Sequence, residues 1–427
     1  MDIAIARLEA WMRDYYHNVD HDIGSSGVRD LSMAEFRQLC GFELADLDPM
    51  VFHDSESYGG TGLRAALADR WTSGDVDRLM VTHGSSEAIY LVMHLALEPG
   101  DEIVVVDPAY QQLHDIAAAR GCRVTRWPLD RDAGFAAALS LLRRLTASGP
   151  RMIVVNFPHN PTGTTLTPEE QKELVAIAAE AGAWLVWDHA FGELTYAADP
   201  LPLPTAWYDR SIAFGTFSKS YGLAGLRVGW CVAPPELLAR MALLRDYIAL
   251  YVSPVLEFFA EQAVRHADKI VARQREHAAG NLALLRAWAD GLPDLVRLTP
   301  PAGGVTAFVE LLDQPDVVGS CRRLAAQLVR EQARVPVQLG VTGRHAVADH
   351  RRRVRGQRHA AFEQLDKAHL GAGRRRGRTG QFRDAARRLG HVVTAVRRSS
   401  RSTRSNAESP VVSSAVVPPN PSRTWSR

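Results

Sequence analysis

The sequence predicts an α/β protein: a mostly parallel sheet of seven strands flanked by helices, with a smaller α+β domain beside it. Three observations predict this. Short apolar runs rich in β-branched residues recur between residues 79 and 232. Helical patterns separate them, and residues able to do chemistry stand directly after several of the runs. Strands covered on both faces read as continuous apolar runs, not as alternations, and open α/β sheets bind ligands beyond the carboxyl ends of their strands.

The runs are Leu79 to Thr82, Ile103 to Val106, Arg123 to Trp127, Met152 to Val155, Trp184 to Trp187, Ser211 to Phe214 and Val228 to Val232. Residues 235–292 have few breakers and repeat Leu and Ala at helical spacing, so long helices are expected there, bridging to the smaller domain. Val296 to Leu312, containing Pro300-Pro301-Ala302-Gly303-Gly304, reads as a turn between two strands of that domain. The expected boundaries are a large domain over 51–245, a small domain over 246–334, and a basic tail over 335–427. Past Arg334 the apolar period collapses: Arg351-Arg352-Arg353 and Arg374-Arg375-Arg376-Gly377-Arg378 interrupt it, and the last 30 residues are rich in Ser, Pro, Arg and Asn. Such a stretch buries too little apolar surface to offset its ordering entropy, so disorder is expected.

A chain of 427 residues with 46% hydrophobic content is long enough for two or three domains and a large core. Charge is unevenly placed. Residues 335–427 hold 20 of the 50 Lys and Arg but 5 of the 48 Asp and Glu, leaving 30 basic against 43 acidic residues before them. Cys40, Cys122, Cys231 and Cys321 are far apart and lack ligand spacing, so neither a disulfide framework nor a metal site is expected. Free thiols in a reducing cytoplasm fit this usage. The first twenty residues lack the basic-then-apolar order of a signal peptide, and no apolar stretch approaches the length of a membrane span.

The most telling run is Thr216-Phe217-Ser218-Lys219-Ser220-Tyr221-Gly222, followed by Arg227. A lysine amine can form a Schiff base with an aldehyde, while neighbouring hydroxyls and a guanidinium hold a phosphate dianion. Upstream, Thr82-His83-Gly84-Ser85-Ser86 ends a strand in a turn that opens a helix and offers N–H groups to an anion. Asp107-Pro108-Ala109-Tyr110, Asn156-Phe157-Pro158-His159-Asn160-Pro161-Thr162-Gly163 and Asp188 each follow a strand. In this order the motifs resemble the class I/II aminotransferase superfamily, the fold type I enzymes that use pyridoxal 5'-phosphate.

The resemblance implies roles. Lys219 is the catalytic Schiff-base residue; Ser85, Ser86, Thr216, Ser218 and Arg227 hold the phosphate. Tyr110 stacks on the pyridine ring, Asn160 donates to its phenolic oxygen, and Asp188 pairs with the protonated ring nitrogen. Tyr58, in Tyr58-Gly59-Gly60-Thr61, matches a tyrosine that reaches the phosphate of the neighbouring subunit, implying a homodimer. Residues 1–50 are expected to pack with the small domain. One departure stands out: Asp188-His189-Ala190-Phe191 carries Phe where the superfamily usually has a phenol hydrogen-bonded to the cofactor.

Several phrases, among them Ser25-Ser26-Gly27-Val28, Trp187-Asp188-His189-Ala190-Phe191 and Gly303-Gly304-Val305-Thr306, resemble the capreomycidine-synthase-like branch. That branch implies an amino-acid substrate, a 3-hydroxyarginine or dihydroxyarginine, cyclised by a lyase of peptide or streptothricin-like antibiotic biosynthesis, with Ser26 and Gly27 near the substrate. The same cofactor apparatus serves transamination, which stays open as the alternative. The family's carboxylate-binding arginine cannot be placed in 335–427, whose composition reads as a frameshifted GC-rich frame. A basic arm binding nucleic-acid phosphates, on a protein that holds cofactor without turnover, is the rival reading of the tail.

Overall fold

The computed structural model describes residues 2–16, 24–312 and 315–323. After helices α1 (Arg7–Tyr15), α2 (Met33–Cys40) and α3 (Thr61–Trp71), the chain alternates strand and helix through β1 (Leu79–Thr82), α4 (Gly84–Ala96), β2 (Glu102–Asp107), α5 (Gln112–Ala119), β3 (Arg123–Pro128), α6 (Leu139–Leu145), β4 (Met152–Asn156), α7 (Pro168–Glu180) and β5 (Trp184–Asp188), and then adds β6 (Ser211–Thr216) and β7 (Gly229–Val232) with no α-helix between them. These strands form one seven-stranded sheet in the order β1-β7-β6-β5-β4-β2-β3. Only β7 runs against its neighbours, pairing antiparallel with both β1 and β6.

β1, β4, β6 and β7 are buried at every position, as helical cover on both faces requires. One face packs Val104, Val106, Ile153, Val155, Leu185 and Trp187; the other packs Val105, Val154, Val186, Ile212 and Phe214 against α4 and α8 (Pro235–Arg245). Most strands run one or two residues past the apolar runs because polar residues at the carboxyl edge still pair. Asn156 lies opposite Asp188, and Thr216 opposite Gly229.

The helical stretch beyond the sheet is three helices: α8, α9 (Pro254–Arg265) and α10 (Ala267–Asp290). Its first break spans residues 246–253, where Leu250 has φ 57° and Pro254 starts the next helix. β8 (Val296–Leu298) and β9 (Val309–Leu311) then form the expected antiparallel pair. A Ser32–Glu35 capping box starts α2, whose Phe36 packs edge-on to Phe259, with Phe42 against Phe258. Residues 24–50 are tied in by the Leu31 N–H on the Gly222 carbonyl and by Gln274 on the Arg29 carbonyl. Helix α1 goes elsewhere, to the loop after β2: the Arg7 N–H donates to Gln111 Oε1 at 2.6 Å, and Gln111 Nε2 donates to the Ile5 carbonyl. The tail of residues 335–427 lies outside the described residues. Among those described, no helix is long and apolar enough to cross a membrane.

Candidate active site

The sheet's carboxyl edge gathers the candidate residues. Lys219 sits in the turn after β6, and its Nζ donates to Ser26 Oγ at 2.9 Å and lies 5.7 Å from the centre of the Phe191 ring. Burial pushes the Lys219 amine down; the Asp188 charge opposes this and Arg227 adds to it. A lowered amine pKa keeps more of the free base, the form that attacks an aldehyde.

Beside it lies an anion cradle. Thr216 Oγ1 donates to Ser218 Oγ at 3.1 Å, and Arg227 Nη1 donates to Ser218 Oγ and to the Ala224 carbonyl, each at 3.2 Å. Arg227 is left-handed, with φ 54°, which turns its side chain back over this loop. Gly229 packs flat on the first turn of α4. A Cβ there would stand 2.6 Å from the Gly84 carbonyl carbon and 2.8 Å from the Ser85 nitrogen. Only glycine lets β7 approach so closely, and the approach sets the amino end of α4, carrying Ser85 and Ser86, next to the guanidinium. An Arg227 Nη2 atom lies 3.0 Å from where a Gly84 Cβ would be. Helix N–H groups, two hydroxyls and a guanidinium make a site for a phosphate dianion.

Asp188 ends β5, fully buried. Burial lifts its carboxyl to about 6, against one N–H from Ala190 at 2.9 Å and the charge of Lys219. A carboxylate buried this way, with one N–H donor and only the Lys219 charge to offset desolvation, would suit a protonated ring nitrogen. Asn156 Nδ2 donates to the Asp188 carbonyl and Asn156 Oδ1 accepts from the Asn160 N–H, both at 2.9 Å, so Asn160 is strapped to the strand that bears Asp188. Thr306 Oγ1, from the smaller domain, reaches Asn160 Oδ1 at 3.4 Å. Tyr110 lies within electrostatic reach of Asp188 and Arg227, and its hydroxyl donates to Glu9 Oε1 at 2.6 Å; burial raises its pKa.

Tyr58 packs against the core cluster on the α4 side of the sheet. Its ring lies 5.5 Å from the Arg64 guanidinium carbon and its carbonyl accepts the Val81 N–H. Gly27 borders open space apart from the Ser25 hydroxyl. Sequence reasoning missed three residues: Glu9, the bridging Asn156, and His189. The His189 ring is buried against Trp71 and Trp230, both of its nitrogens are without hydrogen-bond partners among the described residues, and burial pushes it down to about 3. The run Trp187-Asp188-His189 carried a hint of the last, because a polar residue right after a buried strand end is itself enclosed.

Aldehyde-binding amine, dianion cradle and buried carboxylate, set along the edge of a mostly parallel sheet, define a pyridoxal 5'-phosphate enzyme of fold type I, and the donor set fits that cofactor. The family profile of aminotransferase class I and II matches residues 52–347. The chain belongs to this family, and its cofactor is pyridoxal 5'-phosphate. It is 42% identical over 324 residues to capreomycidine synthase of Streptomyces vinaceus, covering 75% of this chain and 83% of that one. It is 31% identical over 219 residues to the arginine–pyruvate transaminase AruH of Pseudomonas aeruginosa, covering 49% and 55%. The crystal structure of the PLP-dependent cyclase OrfR superposes with a TM-score of 0.72 at 42% identity, over 77% of this chain and 87% of that one.

Proposed function

We propose that this enzyme is a lyase and cyclase of the capreomycidine synthase type, acting on a 3-hydroxyarginine or dihydroxyarginine in peptide or streptothricin-like antibiotic biosynthesis. The observation that carries this reading is the likeness to capreomycidine synthase over three quarters of the chain. Pyridoxal 5'-phosphate, when bound, supplies an electron sink for the charge that develops at the substrate Cα. Arg227, Ser218, Thr216 and the N–H groups at the start of α4 would hold its phosphate. Asp188 would keep the ring nitrogen protonated, and Asn160 would orient the phenolic oxygen. Tyr110 would flank the ring. Lys219, as a free amine, would take the proton from the substrate Cα.

Overall, the Cβ–O bond breaks, the hydroxyl leaves as water, and a guanidine nitrogen bonds to Cβ; the proton from that nitrogen balances the one lost from Cα. Tethering favours ring closure over attack by solvent. Incubation with β-hydroxyarginine tests the reading: the expected product is cyclic, lighter by one water, and formed without consuming a keto acid. A 2-keto product, with glutamate formed from 2-oxoglutarate, would refute it and support a plain aminotransferase, which the likeness to an arginine–pyruvate transaminase favours as second reading.

The active unit in this proposal is a cytoplasmic homodimer, with Tyr58 reaching the phosphate of the neighbouring subunit. Exposed apolar side chains such as Phe52 and Tyr247, about nine-tenths exposed in one chain, would be covered there. Three of the four cysteines are buried free thiols, as a reducing compartment allows. For residues 335–427 we retain the frameshift reading: resequencing should reveal an alternative frame encoding an Arg-aliphatic-Gly run.

A further inference from the structure

Helix α1 brings a carboxylate to the catalytic lysine, although nothing in the cofactor chemistry requires one there. Glu9 Oε1 is occupied by the Tyr110 hydroxyl at 2.6 Å. Glu9 Oε2 is shut off from solvent and has no hydrogen-bond partner among the described residues. Its charge, with that of Asp30, is felt by the Lys219 amine, and its bond to Tyr110 ties it to the loop that follows β2 at the sheet's carboxyl edge. The helix is anchored for this purpose: Arg7 and Ile5 each bond Gln111, the residue after Tyr110, and Gln111 Nε2 also donates to Asp115 at 2.7 Å.

An enclosed carboxylate oxygen without a donor is costly. A bound cation with N–H groups removes that cost, and a planar guanidinium suits a carboxylate best because it can use both oxygens. Oε1 keeps a lone pair after accepting the tyrosine hydroxyl, so both oxygens can accept. Lys219 Nζ donates to Ser26 Oγ, and no donor, Lys219 included, reaches Glu9 Oε2 among the described residues.

We propose that Glu9 is a specificity-determining residue that binds the guanidinium end of the substrate. This rests on the reading of an arginine-type substrate and adds the residue that would select it. Neither cyclisation nor transamination alone requires this contact, so the assignment can be tested by binding.

Calorimetric titration of the cofactor-loaded protein compares L-arginine, which has no β-hydroxyl to expel, with L-citrulline, its neutral counterpart of nearly the same shape. The native protein should bind arginine about tenfold tighter or more, the size expected of a charge-assisted pair. Glu9→Gln should bring the two ligands together by weakening arginine alone, and Glu9→Asp should keep part of the preference. An unchanged arginine-to-citrulline ratio in Glu9→Gln overturns the proposal, and so does a parallel loss of both ligands, which marks a merely structural role. A native protein that does not distinguish the two ligands removes the arginine-type reading itself. A native preference that survives Glu9→Gln removes only the role of Glu9.

Discussion

Asp188→Asn should stabilise the cofactor-free protein at neutral pH while weakening the hold on cofactor, and the two effects arise from one buried group. Without a cation opposite, the folded state keeps the Asp188 carboxyl protonated up to about 6, against an ordinary value of 3.8. Because its folded value is raised, the stability this group contributes is fully present below 3.8 and is lost as pH rises through about 6. At 1.36 kcal/mol per pH unit, the loss amounts to about 3 kcal/mol by pH 8. The asparagine amide keeps an oxygen for the Ala190 N–H and never ionises, so it avoids the loss. Urea unfolding of stripped protein, followed by fluorescence of the nine tryptophans, should show variant and native alike near pH 4 and diverging to about 3 kcal/mol in favour of the variant at pH 8. With cofactor present the order reverses, because a buried carboxylate paired with a ring cation is worth about 3–5 kcal/mol when one partner is removed. A stability difference that stays flat between pH 4 and 8 would refute the reasoning.

Other substitutions probe the surroundings. His189→Leu should blunt acid unfolding: the ring's folded value near 3 lies below its ordinary 6.5, so its stabilising contribution is present above 6.5 and is lost on acidification. The variant should cut the loss between pH 7.5 and 4.5 by roughly 2–3 kcal/mol in the same urea experiment. Gly229→Ala drives a methyl into the Gly215, Gly84 and Ser85 backbone. Affinity for pyridoxal 5'-phosphate should fall about tenfold or more while affinity for phosphate-free pyridoxal falls less, as equilibrium dialysis can read. Arg245 is fully enclosed, with Nε 3.2 Å from Glu87 Oε1 and Nη1 on the Ser57 and Val81 carbonyls. Arg245→Met should lose about 3–5 kcal/mol by stranding Glu87, and the double variant Glu87→Met/Arg245→Met should lose less than the single costs combined, measured by thermal or urea unfolding.

The strands were legible because burial on both faces forces unbroken apolar runs, and the residues closing those runs, Asn156, Asp188 and Thr216, fall where a parallel sheet presents its ligands. Direction was not legible. The Val228–Val232 run reads alike whether parallel or not, and only the close approach of Gly229 to α4 shows why an antiparallel β7 belongs between β1 and β6. For the same reason Ser85 and Arg227, 142 positions apart in the chain, could be joined only by resemblance. Glu9 left no signal at all: a glutamate in the first turn of an amphipathic helix is commonplace, and what distinguishes it is a contact spanning 101 residues to Tyr110. Local pattern therefore disclosed the part of the site built on strand ends, where sequence neighbours are also neighbours in space. Contacts supplied by the amino-terminal segment depend on tertiary docking. Glu9 and Ser26 both come from this segment, Ser26 accepting from Lys219 and Glu9 within its electrostatic reach, so the proposed choice of substrate would rest on contacts that sequence pattern reveals least.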